Sequence, residues 1–260
     1  MPETLQLLNI ATRLRVQTGE NVLIGGVIVT GTEPKKVIIR AIGPSLSEVF
    51  DGALADTTLE LYEGDTLLVG NDNWKDSQQA EIEATTIPPS HDLESAVVYT
   101  LAPGFYTAVM GGKNGATGIG VIEVYDLDQA ARSQLANIAS RGFVESGENV
   151  MIGGLIVGGN GSEDARILLR AIGPSLAKGG VADALRDPVL ELRDNNGEVV
   201  RENDNWEESQ RDEIEATTIP PSDPAESAII AVLRPGNYTA VVRGKNDTVG
   251  VGLVEVYNLP

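Results

Sequence analysis

Asn71–Ser90 reads NDNWKDSQQAEIEATTIPPS, and Asn203–Ser222 reads NDNWEESQRDEIEATTIPPS. The two differ only at Lys75/Glu207, Asp76/Glu208, Gln79/Arg211 and Ala80/Asp212, so 16 of 20 positions are identical. Working outward, IIRAIGPSL (Ile38–Leu46) returns as LLRAIGPSL (Leu168–Leu176), and LLNIATR (Leu7–Arg13) returns as LANIASR (Leu135–Arg141). The closing GKNGATGIGVIEVYDL, ending at Leu127, matches GKNDTVGVGLVEVYNL, ending at Leu259. The offset between copies grows from 128 to 130 to 132, which places short insertions in the connections. Each copy has the length of an ordinary domain and exceeds the ~20–50 residues of a solenoid unit. The expected organisation is therefore a tandem pair, residues 1–127 and 128–260.

Each copy reads as strands separated by turns. Val22–Val29 is a short apolar run expected to be a strand buried on both faces. Lys36–Ile42 follows, and Gly43-Pro44 ends it. Thr58–Tyr62 and Thr66–Val69 flank a Glu63-Gly64-Asp65 turn, matched in the second copy by Val189–Arg193 before Asp194-Asn195-Asn196-Gly197. Ala96–Leu101 and Phe105–Met110 join through Ala102-Pro103-Gly104, and Gly118–Tyr125 closes the unit. Helix is expected only at Ser45–Val49, Ser77–Ala84 and a connector Asp128–Ala136 capped by Asp128. Seven or eight short strands per copy predict an all-β protein of two tandem, similar, jelly-roll-like β-sandwich domains.

Composition narrows the function classes. The chain has 260 residues, 38 acidic against 19 basic, for a formal charge of −19. Residues 1–130 hold 7 basic and 18 acidic side chains and the remainder 12 and 20, so each copy is acidic on its own account. That balance argues against a phosphate-tracking nucleic-acid binder and against docking on anionic membranes. The absence of cysteine removes disulfides, thiol catalysis and Cys-ligated zinc together. No apolar run approaches the ~20 residues of a membrane span. The start, Met1-Pro2-Glu3, lacks the pattern of a signal peptide, so the chain is expected to be cytoplasmic or a segment whose leader has been removed.

The repeated polar residues carry the candidate chemistry. Arg40 and Arg170 sit inside apolar runs and need a carboxylate, with Glu60 and Glu191 or Glu123 and Glu255 as candidates. Gly43-Pro44-Ser45 offers a serine N-cap rather than a phosphate cradle. The Asn-Asp-Asn-Trp loops are dense in the oxygen ligands that suit calcium, with Asp65, Asp72 and Asp76 in one copy and Asp194, Asp204 and Glu208 in the other. Against that stands a turn in which Asn and Asp satisfy backbone groups while Trp74 and Trp206 plug the sandwich. Glu81 and Glu83, with Glu213 and Glu215, invite a glycosidase reading, but residues two apart on a helix face different ways. His91 aligns with Asp223, and no Gly-x-Ser-x-Gly elbow occurs, so no catalytic set is expected.

The latter half of each copy, with LELYEGD or LELRDNNGE, then LAPGFYTAV or LRPGNYTAV, then VYD or VYN, resembles the β-sandwiches of bacterial pre-peptidase C-terminal-like domains. The whole unit, from N-I-[AS]-[TS]-R through R-A-I-G-P-S-L and N-D-N-W to G-x-G-x-x-E-V-Y, is similar to an uncharacterised repeat of large secreted bacterial proteins. The resemblance implies an extracellular or cell-surface, calcium-tolerant accessory module and supplies no ligand residues.

The function expected is a non-enzymatic structural or adhesive module, with other copies or neighbouring domains of a secreted protein as partners. The leading strands Leu7–Val16 and Leu135–Val144 could complete a neighbouring domain in the same chain or in a preceding subunit, the latter building a filament. The competing expectation is a polysaccharide-binding accessory module using exposed aromatics around Trp74 and Trp206.

Overall fold

A computed structural model of the chain describes residues 6–158 and 164–259, so the Met1-Pro2-Glu3 start lies outside the described residues. The first copy runs β1 (Gln6–Val16), β2 (Leu23–Gly31), β3 (Lys35–Ile42), β4 (Thr57–Glu63), β5 (Thr66–Asn71), α1 (Gln79–Ala84), β6 (Ser95–Leu101), β7 (Gly104–Gly112) and β8 (Gly118–Asp126). The second repeats it as β9 (Ser133–Val144), β10 (Met151–Gly158), β11 (Ala165–Ile172), α2 (Pro174–Lys178), β12 (Pro188–Arg193), β13 (Val199–Asn203), α3 (Arg211–Ala216), β14 (Ser227–Leu233), β15 (Gly236–Gly244) and β16 (Gly250–Asn258). The fold is all-β, and the pairings with described registers are antiparallel.

The compact units are not residues 1–127 and 128–260. One is Asn9–Ile138, and the other is Ala139–Pro260 joined by Met1–Leu8. The difference arises in the two long leading strands. β1 leaves residues 6–8 in the second unit and gives residues 9–16 to the first, while β9 gives residues 133–138 to the first and 139–144 to the second. The unit Asn9–Ile138 therefore holds one sheet in the order β1-β8-β3-β6 and another in the order β9-β2-β7-β4-β5. The other unit repeats this as β9-β16-β11-β14 and β1-β10-β15-β12-β13. The acceptor for the first leading strand is thus found in the same chain.

Two faces enclose each core. In the first unit Val37, Ile39 and Ala41 of β3 lie fully buried, as do Leu23 of β2, Leu59 and Leu61 of β4, and Ala108 and Met110 of β7. β8 needs glycine at 118, where a Cβ would come within 2.7 Å of the Leu54 backbone. The strand buried on both faces is β3 rather than β2. β2 alternates between buried and half-buried positions, whereas Val37, Ile38 and Ile39 are all fully buried. The reason is a third layer. Trp74, Ile82, Ile87 and Tyr125 pack with Ile38, Ala96 and Val98 on the outer face of β3 and β6. The second copy repeats this satellite core with Trp206, Ile214, Ile219 and Tyr257. The tryptophans therefore fill the space between a sheet and a covering flap, not the middle of the sandwich.

The connector differs from expectation as well. Asp128–Arg132 is a turn, in which Ala131 N–H reaches Asp128 Oδ1 at 3.2 Å, and β9 begins at Ser133. A helix here would withdraw residues 133–138 from the first unit, where they are needed as a strand.

Candidate functional site

The repeated segment 71–90 is the place to look for a site, and its residues can be followed one by one. Asn71 ends β5, and its Oδ1 accepts Ala96 N–H at 2.9 Å while its amide group donates to Asn73 O and Ser77 Oγ. Gln78 occupies the left-handed region, φ 55°, at the N-terminus of α1. That turn points its amide along β6, where it accepts Val98 N–H at 3.1 Å and donates to Val98 O at 2.8 Å. Asn203 and Gln210 treat Ala228 and Ile230 in the same way. The two amides act as a strand made of side chains, satisfying an edge that would otherwise display unpaired backbone.

The same flap is tied down from beneath. Arg40 donates through Nε to Glu123 Oε2 at 2.9 Å and through Nη1 to Ile87 O at 2.8 Å, and its guanidinium lies 5.0 Å from the Tyr125 ring centre. Arg170 repeats this with Glu255, Ile219 O and Tyr257. Of the two carboxylate pairs considered from the sequence, the partners are therefore Glu123 and Glu255. The register decides it, because Arg40 stands directly opposite Glu123 on β8. Trp74 donates its indole N–H to His91 O at 3.2 Å, and Trp206 donates to Asp223 O at 3.1 Å.

Sequence reasoning passed over Glu94 and Glu226, which are fully buried. Glu94 Oε1 accepts from Gly43 N–H at 3.3 Å, Ser45 N–H at 3.1 Å and the Ser45 hydroxyl at 2.5 Å, and Oε2 accepts His91 N–H at 3.2 Å. Glu226 does the same for Gly173, Ser175 and Asp223. The cap of the turn that begins at Pro44 is therefore a distant glutamate, not Ser45. The readable signal was the repeat of Glu-Ser ahead of β6 and β14 inside an otherwise altered loop.

His91 has a modest role. Its Nδ1 accepts Leu93 N–H at 3.2 Å, as Asp223 Oδ1 accepts Ala225 N–H at 3.2 Å, so the imidazole replaces an aspartate in a turn. Glu81 and Glu83 are exposed on α1, where Glu81 pairs with Lys36 at 2.8 Å and Glu83 accepts from Gln79.

The six residues considered for calcium separate into two places per copy. Asp65 sits in the β4–β5 turn and Asp72 beyond the far end of β5, six strand residues or ~20 Å apart. Asp194 likewise lies in the β12–β13 turn. There burial pushes its carboxyl up, but the N–H groups of Glu198 and Asn196 outweigh this and hold it below the usual range. At the other end Asp76 accepts from Asn73, and Glu208 accepts from Asn205. Asp72 and Asp204 meet a lysine instead: Lys113 Nζ lies 2.6 Å from Asp72 and 3.9 Å from Asp56, and Lys245 Nζ lies 2.6 Å from Asp204 and 3.7 Å from Asp187. Among the described residues no group of three or more His, Cys, Asp or Glu is placed to hold a metal ion.

One oxygen of each of Asp56, Asp72, Asp187 and Asp204 is buried without a partner. Burial first and then the charge of Asp204 raise the Asp187 carboxyl above its ordinary value, with Lys245 opposing. The folded chain thus takes up this proton at a higher pH than the unfolded chain does. Stability from this pair rises as pH falls from the raised value toward about 3.8. Asp187→Asn should remove that acid-side gain and stabilise the chain near neutrality, by less than about 1 kcal/mol at this half-exposed site. Denaturant midpoints measured from pH 4 to pH 7 check the prediction.

The chain was also compared with known proteins. No family model matches it. No curated protein matches either. Among solved structures it is similar to the STIV MCP, at a TM-score of 0.24 and 10% identity over 99% of this chain and 95% of that one. A DUF4785 family protein from Legionella pneumophila gives a TM-score of 0.27 and 9% identity, covering 96% of this chain and 63% of that one. PNGF-II gives 0.25 and 11%, covering 99% and 58%. The functional reading therefore rests on the chain's own residues.

Proposed function

We propose that the chain is a non-enzymatic structural or adhesive module of the cell exterior, with copies of itself as partners. The carrying observation is the use made of the repeated polar residues. Asn71, Gln78, Arg40, Glu94 and Glu123, with their five counterparts, all point into the fold, where they clamp a flap over one sheet and finish one edge. A duplicated motif spent on rigidity suits a part that bears load or presents a surface. The acidic surface of each copy sets a condition, since like-charged chains associate better when salt screens them.

A second reading has its own observation. Trp74 and Trp206 are buried, but the outer face of β4 and β7 in the first copy carries Tyr62, Thr107 and Phe105, the last 73% exposed. Such a face suits a polysaccharide. The second copy has Arg193, Thr239 and Asn237 at these places.

Sedimentation of the purified chain in low salt and in about 1 M sodium chloride, where the screening length is ~3 Å, tests the first reading. Assemblies that grow with salt are expected, and a monomer throughout would overturn it. Retention on immobilised polysaccharides that is lost in Phe105→Ala would instead establish the second.

A further inference from the structure

The two repeats diverge together in one place. Phe50 N–H donates to Leu46 O at 2.8 Å, as Val181 N–H donates to Leu176 O at 3.1 Å, so Val181 stands where the first copy has Phe50. Ile119 N–H donates to Gly52 O, and Val251 N–H donates to Asp183 O. Asp183 is therefore the counterpart of Gly52 and, three residues on, Arg186 is the counterpart of Ala55. In the first copy the Phe50 ring centre lies 4.3 Å from the Arg13 guanidinium. In the second copy a valine replaces that ring. A cavity of about 380 Å³ is open to solvent there, lined by Pro174, Ala177, Val181, Asp183, Ala184 and Arg186.

Four of these six wall residues differ from the first copy, and the changes share a direction. Ala177 and Val181 replace Ser47 and Phe50, leaving an apolar floor with room above it. Asp183 and Arg186 replace Gly52 and Ala55, adding one charge of each sign. Among the described residues neither side chain has a hydrogen-bond or ion-pair partner. A Cβ on Gly52 would lie 3.4 Å from Arg15 Nη2, but Phe143 holds the place of Arg15 in the second copy, so that arginine is not there to neutralise Asp183. We propose that this cavity binds a free α-amino acid with an aromatic side chain. The ring takes the place that the Phe50 ring has in the first copy, the carboxylate meets Arg186 and the ammonium meets Asp183. Such a ligand is neutral overall, so the chain's charge of −19 does not repel it. An aromatic anion or cation would leave one of the two wall charges unmatched.

The first copy supplies the variants for the test. Val181→Phe restores its ring, and Asp183→Gly and Arg186→Ala restore its uncharged walls. Asp183 has φ 53°, where glycine is at ease, and thermal melting checks that all three variants fold. Isothermal titration calorimetry of the full chain uses L-phenylalanine in the millimolar range, where so open a site should saturate. One ligand per chain is expected. Asp183→Gly and Arg186→Ala should each weaken binding about tenfold, and Val181→Phe should abolish it. Phenylpropionate, without the ammonium, and phenethylamine, without the carboxylate, should each bind about tenfold more weakly than L-phenylalanine. Absence of L-phenylalanine binding would overturn the proposal. So would binding that Val181→Phe leaves unchanged, or that either singly charged analogue equals.

Discussion

Glu94→Leu should cost the chain on the order of 4 kcal/mol and melt the unit that carries it well below the other. The substitution keeps the volume but leaves the N–H groups of Gly43, Ser45 and His91 and the Ser45 hydroxyl without their acceptor. A buried donor that loses its partner costs ~1–3 kcal/mol, and the half-buried Ser45 recovers part of its share from water. The total is a large fraction of the ~5–15 kcal/mol that holds a domain. Glu94→Gln retains an oxygen in the same place and should cost about 1–2 kcal/mol, since charge-assisted bonds become neutral ones. Glu226→Leu should reproduce the effect in the other unit. Calorimetry of the three variants checks it, and a Glu94→Leu melt superimposable on wild type would refute the role.

Lys35→Ala is the second large effect, and the chain itself contains the control. Lys35 is fully buried, with Nζ 2.9 Å from Asp126 Oδ2 and 2.6 Å from Asp128 O. Removing the lysine strands a buried carboxylate, which costs ~3–5 kcal/mol. The second copy has Ala165 and Asn258 at these two places. Installing its solution, Lys35→Ala with Asp126→Asn, should therefore return most of the lost stability. A double-mutant cycle measures the difference, and additive losses would show that Lys35 and Asp126 are not coupled. The pair also holds the connector, because Asp128 Oδ1 and O belong to the turn that launches β9. The expected loss therefore includes slower closure of the first unit.

Strands were legible wherever period-2 alternation met a turn residue. β4, β5 and β12 fall within a residue or two of expectation because Gly64 and Gly197, both at positive φ, mark the turns that follow β4 and β12. β2 and β3 were located correctly, but the burial on both faces expected of β2 belongs to β3. Apolar runs look alike whether the second face meets another sheet or a flap, and only the flap distinguishes Ile38 from Ile24. The connector was read as helix because Asp128 resembles a cap, while the need for residues 133–138 in a sheet is a long-range demand that no local pattern shows. Grouping Asp65 with Asp72 failed for a simpler reason, since nearness in sequence along a strand is distance in space. Glu94 escaped notice because a glutamate before a strand ordinarily faces water, and its burial follows from a loop 50 residues upstream folding over it.

The exchange of leading strands has a consequence for how the chain comes into being. Residues 6–8 leave the ribosome well before the rest of their unit, which is finished only when β16 has emerged. The opening residues must wait for most of the synthesis, and the first unit in turn waits for residues 133–138. Half of the chain, cut between the repeats, would lack a strand in one sheet, with an unfinished edge that any similar segment could fill. Biosynthesis thus has two periods of vulnerability: the first unit closes once residues 133–138 have emerged, and the other only once β16 has.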